Sequence, residues 1–133
     1  LLTPLHMAAF LGRRTIAKLL LTDPRVDVNS RDSEGWTPLH CASHSLRQHW
    51  EIVEMLLSDA RVDVNAANAV GETALHLAAG EYGATSAVAE LLIADERVDL
   101  HALDENGETP SIIARRRNNP RFLELIKQRE EGL

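Results

Sequence analysis

The chain has 133 residues, enough for one domain with its own core and too few for two of ordinary size. Only five residues are aromatic, so the core must come from Leu, Ala, Val and Ile, a palette that favours closely packed helices. A net charge of −6 argues against nucleic acid, whose phosphates need a basic surface, and a single cysteine, Cys41, excludes an internal disulfide. No apolar run approaches the ~18 residues of a membrane helix and no signal-like segment opens the chain, so the expectation is a cytoplasmic or nuclear protein without a membrane partner.

In chain order, the first element is marked by "TPLHMAAF" at 3–10. Thr3 is placed to cap free helix amides, and Pro4 suits the first helical position, where no amide hydrogen is missed. Leu5, Ala8 and Ala9 then share one helical face, and the small alanines admit a close neighbour. A second apolar block, "TIAKLLL" at 15–21, predicts an antiparallel helix packed on the first. The β-branched "RVDVN" at 25–29 and the turn "DSEG" at 32–35 predict an extended, hairpin-like arm, with Gly35 free to take positive φ.

These marks recur. "TPLH" returns at 37–40, "TALH" at 73–76 and "TPSI" at 109–112, at intervals of 34, 36 and 36 residues. The second block returns as "EIVEMLL" (51–57) and "AVAELLI" (87–93), and the arm as "RVDVN" (61–65) and "RVDLH" (97–101). Gly35, Gly71 and Gly107 each stand two residues before a repeat threonine. Self-similarity at this period means stacked supersecondary units and outranks any isolated short motif. The last stretch, "NNPRFLELIKQREEG", predicts a final helix with a polar face, as a terminal cap requires.

With these marks the chain resembles the ankyrin repeat family, whose Thr-Pro-Leu-His-x-Ala pattern it carries along nearly its whole length. The resemblance implies an all-α solenoid of helix-turn-helix units joined by hairpin-like arms. It further implies one domain over 1–133, with repeats at approximately 1–36, 37–72, 73–108 and 109–133, the last a C-terminal cap. The arms are one residue longer than the common pattern. Units two and three carry two more residues between their helices, in "SHSLRQHW" and "AGEYGATS". The opening "LLTPLH", with neither an initiator methionine nor an N-terminal cap, is expected of a piece of a longer protein.

The resemblance also implies a non-catalytic protein–protein interaction module that binds through arm tips and the outward face of the first helices. A spacer or autoinhibitory segment acting in cis within a larger enzyme, channel or effector is the other reading. Carried over position by position, the binding surface comprises Arg31, Ser33, Glu34, Trp36, His44 and Ser45, then Ala67, Ala69, Val70, Glu72 and Glu81, then Leu103, Glu105, Asn106 and Glu108. Trp36 is the candidate anchor, because the other units have Glu72 and Glu108 at its position. Between 73 and 108 eight carboxylates face one arginine, which points to a partner with a basic or amphipathic segment. The chain itself is expected to be a monomer. Asn29 and Asn65 resemble the Leu-x5-Asp-x-Asn context of the ankyrin asparaginyl hydroxylase and are candidate modification sites.

Other residues invite chemical readings that the repeat weakens. His6, His40 and His76 recur at the helix packing distance, roughly 8–10 Å, whereas zinc ligands lie only ~2 Å from the ion. The family's histidine is instead a structural bridge to the threonine three residues earlier and to a neighbouring backbone. Cys41, His44 and His49 form a Cys-x2-His cluster without a nearby fourth ligand, and Cys41 matches the apolar positions of Met7 and Leu77. No catalytic residue, metal or cofactor is expected. The "RRR" at 115–117 reads as a solvated helix end, and Trp50 as packing at the start of a second helix.

Overall fold

The structure, a computed structural model, describes residues 2–44, 49–80 and 87–132. Eight α-helices and no strand occur among the described residues: α1 (Pro4–Leu11), α2 (Arg14–Leu21), α3 (Pro38–Ser43), α4 (Trp50–Leu57), α5 (Ala74–Ala79), α6 (Ala87–Ala94), α7 (Pro110–Arg116) and α8 (Pro120–Glu130). The odd-numbered helices contact one another in succession, as do the even-numbered ones, and each odd helix packs on the even helix that follows. This is the expected all-α solenoid.

The odd helices begin as their Thr-x-x-His spacing dictates. Thr3, Thr37 and Thr73 lie in extended backbone, and their hydroxyls accept the amides of His6, His40 and His76. In return each histidine Nδ1 accepts the threonine amide, at 3.1–3.2 Å. An Nδ1 that accepts leaves the ring hydrogen on Nε2. That Nε2–H donates to a carbonyl of the next arm: His6 to Trp36 at 2.7 Å, His40 to Glu72 at 2.8 Å and His76 to Glu108 at 2.9 Å. One side chain thus closes its own helix and clamps the following unit. Thr109 still caps α7, but Ile112 replaces the histidine in the last unit.

The arms depart from the extended form expected of "RVDVN". Residues 25–29, 61–65 and 97–101 run through turns. The aspartates are the cause. Asp23, Asp27, Asp59, Asp63, Asp95 and Asp99 each accept the amide two residues on, a local bond that competes with any extended ladder. Only the tips close like hairpins: the Asp32, Asn68 and Asp104 amides donate to the Trp36, Glu72 and Glu108 carbonyls.

Successive tips are then tied through backbone. The Ala69 amide donates to the Glu34 carbonyl at 2.9 Å and the Glu105 amide to the Val70 carbonyl at 3.0 Å. Gly35, at φ +79°, allows this approach, since a Cβ there would lie 2.8 Å from the Ala69 nitrogen. Elsewhere along the arms the Asn29 amide donates to the Arg61 carbonyl and accepts from the Asp63 amide; Asn65 does the same with Arg97 and Asp99. Arg61 and Arg97 reach back to the carbonyls of Leu21 and Leu57.

The core runs between the two helix layers. Leu5, Leu39, Leu75 and Ile113 with the alanine pairs of the odd helices meet Ile52, Val53, Leu56, Val88 and Leu92 of the even ones. Phe122 and Ile126 of α8 close the stack, while the rest of that helix is exposed or half-buried. Each such leucine or isoleucine adds about 1.5–3 kcal/mol by leaving water.

Candidate functional site: the arm tips and first helices

Most of the residues expected to form the binding surface lie on the tips or the adjacent ends of the odd helices. Arg31, Ser33, Glu34, His44, Ala69, Val70, Leu103, Glu105 and Asn106 are exposed, Leu103 at 63%. Ala67 is half-buried, and its carbonyl accepts from the Arg31 guanidinium. Trp36 is also half-buried: its ring stands 5.8 Å from that of His40 and edge-on to that of His44 at 5.2 Å. It thus packs against the core on one side and stays partly exposed on the other. Ser45 and Glu81 lie outside the described residues.

Two expected carboxylates are engaged within the protein. Glu72 is half-buried and accepts from the Asn68 amide at 3.1 Å, and Glu108 is paired with Arg116 of α7. The carboxylates most available on the tips are Glu34 and Glu105. Arg121 lies 3.5 Å from Glu90, and the Arg116 pair takes up part of the basic run at 115–117.

The structure adds residues that the position-by-position reading passed over. Leu2, Met7, Phe10 and Leu11 are 59%, 44%, 55% and 45% exposed. With Trp36, Cys41, His6, His44, Asp32 and Glu34 they line a groove of about 360 Å³ between α1, α3 and the first arm tip. A signal was present. Phe10 and Leu11 occupy the places of His44 and Ser45 in unit two and of Gly80 and Glu81 in unit three, so an apolar pair replaces polar or small residues.

The chemically suggestive residues are spread apart. Each of His6, His40 and His76 uses both ring nitrogens on its threonine and its carbonyl. Burial holds His40 below its usual pKa, in keeping with the neutral ring that this bonding requires. Cys41 is buried, and desolvation, aided by the charge of Asp32, pushes its thiol up to about 12. Such a thiol is inert as a nucleophile. His44 is exposed beside Trp36, and His49 lies against Gly12 of the preceding unit. Among the described residues no group of three His, Cys, Asp or Glu side chains is placed to hold a metal, and no helix is long and apolar enough to cross a membrane.

The repeated cap, clamp and tip geometry agrees with the comparison with known proteins. A family model described as ankyrin repeats (3 copies) matches residues 2–68 and 51–131. The chain belongs to the ankyrin repeat family. Ankyrin repeats are in general protein–protein interaction modules that bind protein partners, and the family is generally non-catalytic. Individual relatives match over short stretches. Protein phosphatase 1 regulatory subunit 12A of Mus musculus is 50% identical over 42 residues, 32% of this chain and 4% of that protein. Alpha-latrotoxin-Lh1a of Latrodectus hasselti is 48% identical over 40 residues, 30% of this chain and 3% of the toxin. Alpha-latrocrustotoxin-Lt1a of Latrodectus tredecimguttatus is 39% identical over 51 residues, 38% of this chain and 4% of that protein. The ankyrin chain thus matches only a few per cent of the length of these relatives.

Proposed function

We propose that this ankyrin chain is a non-catalytic binding module that takes a partner protein on the face made by its arm tips and first helices. The proposed unit is the whole domain, 1–133, with repeats near 1–36, 37–72, 73–108 and 109–133. The observation that carries the reading is the division of labour at the tips. Backbone bonds join Glu34 to Ala69 and Val70 to Glu105, while the side chains of Ser33, Glu34, Ala69, Val70, Glu105 and Asn106 are left outward. A preorganised row of outward side chains loses little entropy on binding. The carboxylates of Glu34 and Glu105, within a chain of net charge −6, favour a basic or amphipathic partner segment.

The test is affinity capture from native cell extract, comparing wild type with a variant combining Trp36→Ala, Glu34→Ala and Glu105→Ala. Partners recovered by wild type and lost by the variant, with binding that weakens as salt rises, are expected. Recovery of the same partners by both proteins would remove the assignment of this face.

The short span of the chain against its relatives favours a second reading, in which the module acts in cis as a spacer or autoinhibitory segment. Binding of the isolated chain to the remainder of its own longer protein, and to nothing in trans, distinguishes it. Asn29 and Asn65 are the proposed modification positions. Both side-chain amides bond the backbone of the next arm. Peptide mapping of native protein that finds no gain of one oxygen atom at either asparagine would remove that proposal.

A further inference from the structure

The groove between α1, α3 and the first arm tip differs from the rest of the binding face. Phe10 and Leu11 are large, apolar and about half exposed, and neither belongs to the packed core. Contiguous apolar side chains kept in water mark an interaction site more often than a structural need. Trp36, steadied by the rings of His40 and His44, adds an aromatic wall. Asp32 and Glu34 complete the lining on the arm side, and among the described residues no lysine or arginine lines the groove. Asp32 Oδ1 accepts the Glu34 and Trp36 amides, so its negative charge is fixed in place rather than carried on a mobile chain.

Building on the binding face proposed above, we propose that this groove receives one bulky apolar side chain, Phe, Leu or Met, from a partner protein segment that carries Lys or Arg within a few residues of it. The apolar residue lies against Phe10, Met7 and Trp36, and the cation meets Asp32 and Glu34. A volume of about 360 Å³ is at the small end of ordinary ligand pockets, about 300–1,000 Å³, which suits a side chain or two rather than a folded element. An aromatic-lined, desolvated centre beside a charged rim is also how affinity concentrates in protein interfaces.

The test is selection from a phage-displayed random 12-residue peptide library on wild-type protein, followed by fluorescence anisotropy with labelled synthetic copies. Three variants are compared: Phe10→Asn, Glu34→Lys and, as a control away from the binding face, Glu124→Lys on α8. All three positions are exposed, and thermal melts verify that each variant folds; Trp36 is left intact because it also packs on His40. Recovered peptides that pair a bulky apolar residue with a nearby Lys or Arg, and that lose about tenfold in affinity with Phe10→Asn, support the proposal. Glu34→Lys is expected to weaken them several-fold and Glu124→Lys to leave them within about twofold, as a distant charge does. Peptides insensitive to Phe10→Asn would overturn the groove while leaving the wider binding face standing. Failure of wild type to select any peptide would overturn the groove alone, the wider face being judged by capture of folded partners. Self-association of wild type that Phe10→Asn abolishes would place a second copy in the groove and overturn the proposal too.

Discussion

Replacing His40 with alanine removes the clamp at the middle of the stack. The histidine is 1% exposed and serves the Thr37 amide at 3.1 Å, the Thr37 hydroxyl at 2.9 Å and the Glu72 carbonyl at 2.8 Å. Alanine leaves the Thr37 amide without a partner, at about 1–3 kcal/mol, takes one of two donors from the Glu72 carbonyl, which keeps the Asn68 amide, and opens a cavity that the alanine-lined helices fill only in part. The expected loss is about 2–5 kcal/mol, a large share of the 5–15 kcal/mol that holds an ordinary domain. Urea unfolding followed by circular dichroism measures it, with the exposed His101→Ala as a control expected to stay within about 0.5 kcal/mol. A His40→Ala loss below about 1 kcal/mol, less than one orphaned buried amide costs, would refute the clamp. The same residue sets a pH dependence. Because its folded pKa lies below the ordinary 6.5, the unfolded chain takes up a proton that the folded chain refuses as pH falls below that value. Its contribution is complete above pH 6.5 and shrinks below it, and a His40→Leu variant is expected to lose that part of the acid sensitivity.

Three further outcomes test the arms and the core. Gly35→Ala is expected to cost about 2–3 kcal/mol, since positive φ penalises a Cβ that would also press on the Ala69 nitrogen. Gly107→Ala, at φ +72° with nothing within 4 Å, meets only the conformational penalty of about 1–2 kcal/mol; equal losses in thermal melts would contradict the tip-to-tip ladder. The Cys41 thiol is expected to resist a disulfide reagent at pH 8 until denaturant is added, and rapid labelling of native protein would show that it is not buried. Arg61→Ala is expected to lower Tm more than Arg25→Ala, because Arg61 also donates to the Leu21 carbonyl of the preceding unit, whereas the contacts of Arg25 stay within its own turn. Equal shifts would show that the reach to the preceding unit does not matter.

Helix starts and helix faces were legible in the sequence because their causes are local. A threonine before proline, a histidine three residues on and alanines at helical spacing each act within one turn, and α1, α3 and α5 begin where these marks predict. Burial of Cys41 was also legible, since its position matches apolar residues elsewhere. The hairpin-like tips follow the reading, but the valine-rich stretches before them do not extend: β-branched valines argue for extension while the aspartates beside them win through bonds to their own backbone. On the candidate face, single positions were readable but their pairings were not. Glu72 turns inward to Asn68 and Glu108 to Arg116, contacts that arise only once the tips close and α7 lies alongside. The apolar pair Phe10 and Leu11 was visible in the alignment of the units, but its meaning depends on the placement of Trp36, distant in sequence and set beside the rings of His40 and His44.

The central claim is that the tip side chains serve binding and not folding. Calorimetric titration of a captured partner into wild type and into the combined Glu34→Ala, Val70→Ala and Glu105→Ala variant, at low and at moderate salt, tests it most directly. The account predicts a folded variant whose affinity is at least about tenfold weaker, with wild-type affinity itself falling as salt rises. Equal affinity of the two proteins at both salt concentrations would contradict it.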